Sequence, residues 1–301
     1  MADTELSFIT VNYRTPDLID RLVRSISEFP PPLPYEIIVL DNASNDGSAE
    51  SIPANNPDIS FIPLDKNIGF GAGNNRASEV AKGRLLILIN SDCELWEESF
   101  EGAVQFMDEN PDVGIVGLRV ITPEGKLEQS ARGFPGASTG LIGRSTLLGK
   151  LAQKFGKSGG KGVAGRNLMV DPLKTEPYTV DWVSGTIMLI RRDLWDKLDG
   201  FDEDYFMYWE DADLCYRTKK AGYRTVYYPG SSVVHRPGSS AARDPVPAIR
   251  WFHESAYIYL RKNISPGPSL LRGFAWCALN ARSAILVARA RRKKSAELRK
   301  G

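Results

Sequence analysis

Short apolar runs alternate with segments of helical character over the first 120 residues, and this alternation restricts the possible folds more than any other feature of the chain. The runs lack a regular apolar–polar alternation, which is typical of strands in a parallel sheet covered on both faces. They are SFITVNY (7–13), EIIVL (36–40), ISFIPL (59–64), RLLILIN (84–90) and VGIVGLRV (113–120). Strands separated by helices predict an α/β fold with a mostly parallel central sheet.

Helices are predicted between and after these strands. The first begins at Thr15 and Pro16, which suit an N-cap and a first helical position. Its apolar residues at helical spacing are Leu18, Leu22, Ile26 and Phe29. Further helices are predicted at 76–83, 96–110, 193–198, 211–222, 246–262 and 268–293, and further strands at 180–192 and 223–229. The basic segment 144–168 lies in a long loop, which is either functional or disordered, and we interpret it as a lid over the substrates.

The net charge of +1 hides an uneven distribution. Residues 261–301 hold eleven Lys or Arg and one acid, Glu297, whereas residues 1–260 hold 27 bases and 36 acids. Such asymmetry indicates that the tail meets an anionic surface, either a membrane or a nucleic acid. No aromatic stacking platform accompanies the basic residues, so we expect no nucleic-acid partner.

The tail reads as one helix over residues 268–294. The apolar residues near one stripe of it are Leu270, Leu271, Phe274, Cys277, Ala278, Ala281, Ile285 and Ala288. Its charged residues are Arg272, Arg282, Arg289, Arg291, Arg292, Lys293 and Lys294. Two interpretations stay open: the stripe lies in the interface of an anionic leaflet, or it packs on the rest of the protein.

Composition and the search for targeting signals indicate the class of protein and its cellular compartment. The chain is 42% hydrophobic and 25% charged, which excludes a disordered or polytopic membrane protein. Cys93, Cys215 and Cys277 form no CxxC pair, so neither a disulfide framework nor a zinc knuckle is expected. No signal peptide and no run of 18 apolar residues is recognisable. These features predict a cytoplasmic protein.

Four polar clusters follow predicted strands, at 11–13, 41–44, 67–74 and 90–94. Ligands of open α/β sheets bind at the carboxyl ends of the strands. The third cluster contains G-x-G-x-G after the third strand, whereas a dinucleotide-binding fold requires G-x-G-x-x-G after the first, so that class is disfavoured. A simple glycine turn before a helix is the alternative for this cluster.

Carboxylates and one histidine are the candidates for chemistry. Asp92 follows a buried strand and suits a divalent cation that also binds a diphosphate, or it only forms a turn. Glu210, Asp211 and Asp213 follow a run of aromatic residues, whose apolar surroundings raise a carboxyl pKa toward that of a general base. Acidic residues also favour a helix N-terminus, so a structural role stays open. His235 follows a strand and is either a metal ligand or a structural residue.

Taken together, these segments resemble the family 2 glycosyltransferases of the GT-A fold, and most closely the rhamnosyltransferase-like branch. The resemblance covers residues 6–260. The segments that carry it are 11–26, 39–48, 67–77, 85–95 and 183–240. It implies a GT-A Rossmann-like catalytic domain at 1–260 with C-terminal helices, followed by a basic amphipathic helical tail at 261–301.

The resemblance also implies roles for individual residues. Asp41 would contact the nucleobase. The other residues implied at the nucleotide sugar are Asn12, Tyr13, Asn67, Gly69, Gly73, Asn74, Asn90, Ser91 and Asp92. The family's DxD metal motif falls on 90–92 with Asn in first place, so Asp92 and His235 would bind Mg²⁺ or Mn²⁺.

The family's ED pair falls on Glu210 and Asp211, with Asp211 as general base. Trp182 and Gly185 would shape the acceptor side. The implied reaction is inverting, metal-dependent transfer of L-rhamnose from dTDP-L-rhamnose to a saccharide or polyprenyl diphosphate-linked acceptor in cell-surface polysaccharide synthesis, at the inner face of the plasma membrane. Two alternatives stay open, a UDP-hexose donor with the same mechanism and a non-catalytic protein that binds sugar nucleotides or membranes.

Overall fold

The computed structural model describes residues 4–96, 100–135, 169–236, 245–264 and 269–297. The strands are β1 (Leu6–Asn12), β2 (Tyr35–Asp41), β3 (Ser60–Pro63), β4 (Leu85–Ile89), β5 (Cys93–Leu95), β6 (Val113–Ile121), β7 (Ala131–Arg132), β8 (Tyr178–Val180), β9 (Trp182–Val183), β10 (Ile187–Arg191) and β11 (Arg224–His235). The helices are α1 (Pro16–Glu28), α2 (Ser48–Asn55), α3 (Phe70–Ser78), α4 (Glu101–Glu109), α5 (Arg192–Lys197), α6 (Glu210–Lys220), α7 (Pro245–Tyr259), a π-helical turn (Leu260–Ile264) and α8 (Ser269–Glu297).

A central sheet runs in the order β3-β2-β1-β4-β10-β6-β11-β5, with β8 paired to β11. β1, β2, β3, β4, β6 and β11 point in one direction, while β10 lies antiparallel between β4 and β6. β5 and β8 are antiparallel to β11, and β7 pairs with β9 in a small separate ribbon. The predicted α/β fold with a mostly parallel sheet is confirmed.

Helices cover both faces of the sheet, which explains why its strands are apolar throughout. All five residues of β4 are buried. Because successive side chains point to opposite faces, Ile87 packs in one core with Leu22 of α1 and Met107 of α4, while Leu88 packs in the other with Leu214 of α6.

Helix α3 starts earlier than predicted, at Phe70 instead of residue 76, and ends at Ser78. A simple glycine turn before the helix was the alternative interpretation of this segment, and glycine has a poor helix propensity. In the structure Gly73 lies inside the helix, where its missing side chain lets α3 approach β1: a Cβ there would lie 3.2 Å from Val11. Close packing therefore outweighs propensity at this position.

Several other boundaries differ from the sequence prediction. The predicted strand at 180–192 is β9 and β10, separated by a turn and followed by α5. The predicted helix at 96–110 begins only at Glu101, and the short strand β5 precedes it. Strand β11 continues past the Pro-Gly pair at 229–230, where a bulge shifts its register, and so reaches His235.

The predicted apolar stripe of α1 is only partly correct. Leu22 and Ile26 are buried as expected, but Leu18 is half-buried and Phe29 is exposed. Ile19 and Val23 complete the buried face instead. The helix is therefore rotated slightly from the predicted orientation.

Helix α8 packs against α7. Its buried residues are Ala275, Leu279 and Val287, which are not those of the predicted stripe. The stripe residues Phe274, Cys277, Ala281, Ile285 and Ala288 are exposed, and Ala278 is half-buried. Within the described ranges, no helix has the length and hydrophobicity needed to cross a membrane. The predicted lid at 144–168 lies outside the described residues.

Candidate active site

The ends of β1 and β2 are joined by a buried polar network. Asn12 Nδ2 donates to Asp41 Oδ1 (2.6 Å), and Ser44 Oγ donates to the same oxygen (2.5 Å). Asn12 Oδ1 accepts the backbone N–H of Thr15 at the start of α1 (3.1 Å). Asn12 therefore positions Asp41 in the structure, and their predicted contacts with the nucleobase stay predictions. Tyr13 lies half-buried beside them.

Asn42 connects this network to the glycine-rich segment. Its Oδ1 accepts the N–H of Ile68 (2.8 Å), and its Nδ2 donates to the carbonyl of Gly69 (2.9 Å). Asn67 Oδ1 accepts the Gly69 N–H (2.9 Å), while Asn74 Nδ2 donates to a carbonyl within α3. The sequence prediction included Asn67 and Asn74 but gave Asn42 no role. Its side chain fixes the turn that begins α3.

Gly69 occupies a conformation that requires glycine. Its φ of +93° and ψ of 177° fall in a region that other residues essentially avoid, and a Cβ there would overlap the carbonyl oxygen of Phe206. We expect Gly69→Ala to lower the free energy of unfolding by about 3 kcal/mol or more. Gly47→Ala is the matched control because Gly47 has φ +88° but open space around it, so it should cost about 1–2 kcal/mol.

Chemical denaturation of both variants measures this difference. Equal losses of stability would contradict the close packing of Gly69 against the residues that precede α6.

The polar residues after β4 lie at the same edge of the sheet. Ser91 Oγ lies 3.2 Å from Thr15 Oγ1, which ties this turn to α1. The backbone N–H of Asn90 donates to the carbonyl of Thr186 (3.0 Å). The Asn90 and Ser91 side chains are half-buried. The predicted motif at 90–92 is thus adjacent to the turn between β9 and β10.

Asp92 and His235 meet although 143 residues separate them in the sequence. His235 Nε2 lies 3.3 Å from Asp92 Oδ1, and His235 Nδ1 lies 3.1 Å from Glu128. The pairing of β11 with β5 creates this contact because it sets His235 opposite Cys93. Burial lowers the pKa of His235, but the hydrogen bonds and charges of the two carboxylates outweigh it, so its pKa is raised.

These residues fit a divalent cation. If Nδ1 carries the proton and donates it to Glu128, the Nε2 lone pair is free, and His235 Nε2 and the Asp92 carboxylate would be the nitrogen and oxygen donors to the cation. A carboxylate behind a ligating histidine is a frequent arrangement at metal sites. In the described parts of the chain no group of three or more Asp, Glu, His or Cys residues is arranged to hold an ion. Asp92 and His235 alone would supply two ligands, so substrate phosphates would have to complete the coordination of such an ion.

Glu210 and Asp211 begin helix α6 as adjacent carboxyl groups with different surroundings: Glu210 is buried and Asp211 is half-buried. Asp211 Oδ2 accepts the N–H of Gly185 (3.0 Å), and its Oδ1 accepts the N–H of Ala212 (2.7 Å). Glu210 is 5% exposed, and its Oε2 has no hydrogen-bond partner among the described residues.

The two carboxyl groups also differ in the causes of their pKa shifts. Burial raises the pKa of Asp211, and the two backbone N–H groups and the charge of Arg132 oppose that rise. Burial and the charge of Asp211 raise the pKa of Glu210 well above its ordinary value. Two adjacent carboxyl groups whose surroundings differ in this way suit an acid and a base, and the opposing contacts favour Asp211 as the ionised member.

Asp213, the third acid of this segment, has a structural role. Its carboxylate accepts hydrogen bonds from Arg217 Nε (2.6 Å) and Asn263 Nδ2 (2.7 Å), and Tyr205 OH lies 3.3 Å away. Those contacts join α6 to the π-helical turn. They account for an acidic residue at position 213 without a role in catalysis.

The residues that precede the pair are strained. Tyr208 and Trp209 have φ values of +70° and +72°, which bulky side chains rarely adopt. Packing with Phe252 and Tyr259 of the C-terminal helices holds them there. Strain of this kind concentrates at functional sites, and here it sets the position of Glu210.

Of the two predicted acceptor-side residues, Gly185 contacts Asp211 directly. Gly185 contributes its backbone N–H to Asp211, and a Cβ on it would meet only ordinary contacts. Trp182 Nε1 donates to the carbonyl of Gly133 (3.0 Å), and the Arg132 guanidinium lies 5.4 Å from the centre of the Trp182 ring.

One turn joins the two halves of the site. The carbonyl of Thr186 accepts the N–H of Asn90 on the predicted metal side, and the N–H of Gly185 donates to Asp211, the predicted base. Glu128 and Arg132 were missed by the sequence prediction, which assigned no strand or helix between residues 121 and 179. Other charged residues such as Glu124 and Lys126 lie nearby, so charge alone did not single them out.

Solved structures with this architecture are glycosyltransferases. A crystal structure of GalNAc-T7 with UDP, GalNAc and Mn²⁺ is 16% identical, with a TM-score of 0.59, over 92% of this chain and 55% of that one. The mannosyltransferase PcManGT from Pyrobaculum calidifontis, in complex with GDP-Man and Mn²⁺, is 17% identical, with a TM-score of 0.54, over 96% and 76%. The fold is that of GT-A glycosyltransferases.

The chain belongs to glycosyl transferase family 2, because the sequence model of that family matches residues 7–198. It is 30% identical to the N-acetylglucosaminyl-diphospho-decaprenol L-rhamnosyltransferase of Mycobacterium tuberculosis, over 85% of this chain and 83% of that protein. It is also 41% identical to rhamnosyltransferase WbbL of Escherichia coli over 86 residues, which cover 28% of this chain and 33% of that protein. The predicted family and enzyme class are confirmed.

Proposed function

We propose that this protein transfers L-rhamnose from dTDP-L-rhamnose to a hydroxyl group of a polyprenyl diphosphate-linked sugar, with inversion at the anomeric carbon. The similarity to the M. tuberculosis enzyme over most of both chains supports the donor sugar and the class of acceptor. The observation that supports the reaction type is the adjacent carboxyl pair at the start of α6, in which two backbone N–H groups donate to Asp211 and favour it as the ionised member.

Asp211 acts as the general base. Each of its oxygens accepts one backbone N–H and keeps a lone pair for the acceptor hydroxyl. As that hydroxyl attacks the anomeric carbon, its proton passes to Asp211 and the bond to the nucleoside diphosphate breaks. Attack from the side opposite the leaving group inverts the centre without a covalent sugar–enzyme intermediate.

Asp92 and His235 would hold Mg²⁺ or Mn²⁺ together with the donor diphosphate. Bound there, such a cation supplies Lewis-acid stabilisation of the charge on the leaving group. Glu128 orients His235 through Nδ1 and so keeps Nε2 directed at the ion. The Mn²⁺ in both similar solved structures supports this assignment.

Glu128→Gln tests the orientation of His235. The amide keeps the hydrogen bond to Nδ1 but loses the charge, so we expect affinity for Mn²⁺ in the presence of dTDP to fall about 10- to 100-fold. Glu124→Gln, on an exposed neighbouring residue, is the matched control and should leave affinity unchanged. Equal affinities for the wild type and Glu128→Gln, measured by Mn²⁺ titration, would remove Glu128 from this role.

The proposed donor is tested by thermal unfolding with nucleotides and sugar nucleotides, each with and without Mg²⁺ or Mn²⁺. Ligands that bind the native state raise the Tm. We expect a metal-dependent rise with dTDP and dTDP-L-rhamnose. A rise with UDP species alone would replace the donor by a UDP-hexose, and no rise with any nucleotide would favour a non-catalytic protein.

A further inference from the structure

The outward face of α8 has an unusual composition for an exposed helix. Between residues 273 and 288 nine residues are exposed and none is charged. They are Gly273, Phe274, Trp276, Cys277, Asn280, Ala281, Ala284, Ile285 and Ala288. Phe274 is 67% exposed and Ile285 is 54% exposed.

Helix α1 shows what a water-facing surface of this protein is like. Its exposed residues are Asp17, Arg21, Arg24, Ser27 and Glu28, of which four are charged. A helix of a soluble protein places apolar residues toward the core and polar residues outward. Helix α8 places apolar residues on both sides, because its other face is already covered by α7 through Ala275, Leu279 and Val287.

The outward apolar residues form one continuous row. Phe274, Cys277, Ala281, Ile285 and Ala288 follow one another at spacings of three and four residues, which places them along one side of the helix. The row ends where the exposed basic residues begin, with Arg289, Arg291 and Arg292. An apolar row next to a basic cluster is typical of helices that lie in a membrane interface.

We propose that this row docks α8 on the surface of an anionic lipid bilayer, with the helix in the plane of the surface. Phe274 and Ile285 enter the boundary between headgroups and acyl chains, and the arginines that follow contact anionic headgroups. The binding is separate from sugar transfer, because it uses residues outside the site and needs no donor.

Charge favours a lipid surface over a second copy of this chain. α8 holds seven bases and one acid, so a second copy of α8 offers these basic residues no opposite charge, whereas anionic headgroups do. The rest of the chain, residues 1–260, has more acids than bases. An anionic membrane therefore attracts α8 and repels the remainder, which orients the protein with α8 toward the lipid.

Vesicle co-sedimentation of the full chain tests this proposal. We expect binding to vesicles of phosphatidylglycerol and phosphatidylcholine to be at least about tenfold tighter than to phosphatidylcholine alone, and to weaken as salt rises from about 0.1 to about 0.5 M. The double variant Phe274→Glu/Ile285→Glu should bind the anionic vesicles at least about tenfold more weakly, because each change replaces apolar contact with repulsion.

The matched control is Val80→Glu/Leu173→Glu, which makes the same kind of change at exposed apolar residues elsewhere and should bind like the wild type. A second variant, Arg289→Gln/Arg291→Gln/Arg292→Gln, keeps the apolar row and should lose only the preference for anionic lipid. The proposal is overturned if the wild type does not bind anionic vesicles. It is also overturned if light scattering shows a dimer that Phe274→Glu/Ile285→Glu converts to a monomer without loss of vesicle binding.

Discussion

Replacing Asp211 with Asn is expected to lower kcat by about 10³-fold, because a positioned general base contributes 10²- to 10⁴-fold. Nucleotide binding should persist, since the base contacts the acceptor and not the nucleotide. The variant loses some stability as well: Asp211 accepts two backbone N–H groups, and an amide can accept only one of them without turning its own NH₂ toward the other.

Two neighbouring acids provide controls for that result. Glu210→Gln should retain kcat within about tenfold, because the raised pKa of Glu210 favours its neutral form and Gln has the same shape. Asp213→Asn should lower the free energy of unfolding by about 3 kcal/mol, because it breaks the buried pair with Arg217, yet keep kcat while folded. A larger loss of kcat in Glu210→Gln than in Asp211→Asn would reverse the assignment of acid and base.

Replacing Asp92 with Ala is expected to lower kcat/KM by about 10²- to 10³-fold. The change removes one of the two proposed cation ligands. A loss of this size corresponds to about 3–4 kcal/mol of stabilisation of the leaving diphosphate, at about 1.4 kcal/mol per factor of ten. The rise in Tm with dTDP should no longer depend on Mn²⁺. The fold should persist, since Glu128 still holds His235.

Glu94→Gln removes the same charge two residues away, where Glu94 pairs with Arg236, and should keep most of the activity. Steady-state kinetics and Mn²⁺-dependent thermal unfolding of both variants measure this effect. If Asp92→Ala keeps a Mn²⁺-dependent rise in Tm of wild-type size, the proposed cation site is wrong.

Local sequence patterns predicted the sheet because burial on both faces leaves an unmistakable apolar strand such as β4. They failed where packing decided the structure. Gly73 lies in a helix because its missing side chain lets α3 pack closely on Val11. Strand β11 continues beyond a Pro-Gly pair because a bulge there shifts its register. Neither the close approach of α3 to β1 nor the bulge in β11 produces a periodic pattern in the sequence.

The residues of the candidate site also fall into two groups, those predicted from the sequence and those recognised only in the structure. Asp92, Asp211 and His235 were predicted from motif types and from the family resemblance. Glu128 and Arg132 were not, because their roles arise from contacts with residues about 50 to 110 positions away. The apolar row of α8 was recognised as a stripe, but only the structure shows that the opposite side of the helix packs on α7.

The most direct test of the proposed reaction is transfer of labelled sugar by the purified protein. dTDP-L-rhamnose or a UDP-hexose is supplied with Mg²⁺ or Mn²⁺ and a polyprenyl diphosphate-linked N-acetylglucosamine, and the product is isolated and its anomeric configuration determined by NMR. We predict one rhamnosylated product, formed only from dTDP-L-rhamnose, with the configuration opposite to that of the donor. Transfer from a UDP-hexose instead, a product that retains the donor configuration, or no transfer from any donor would contradict this account.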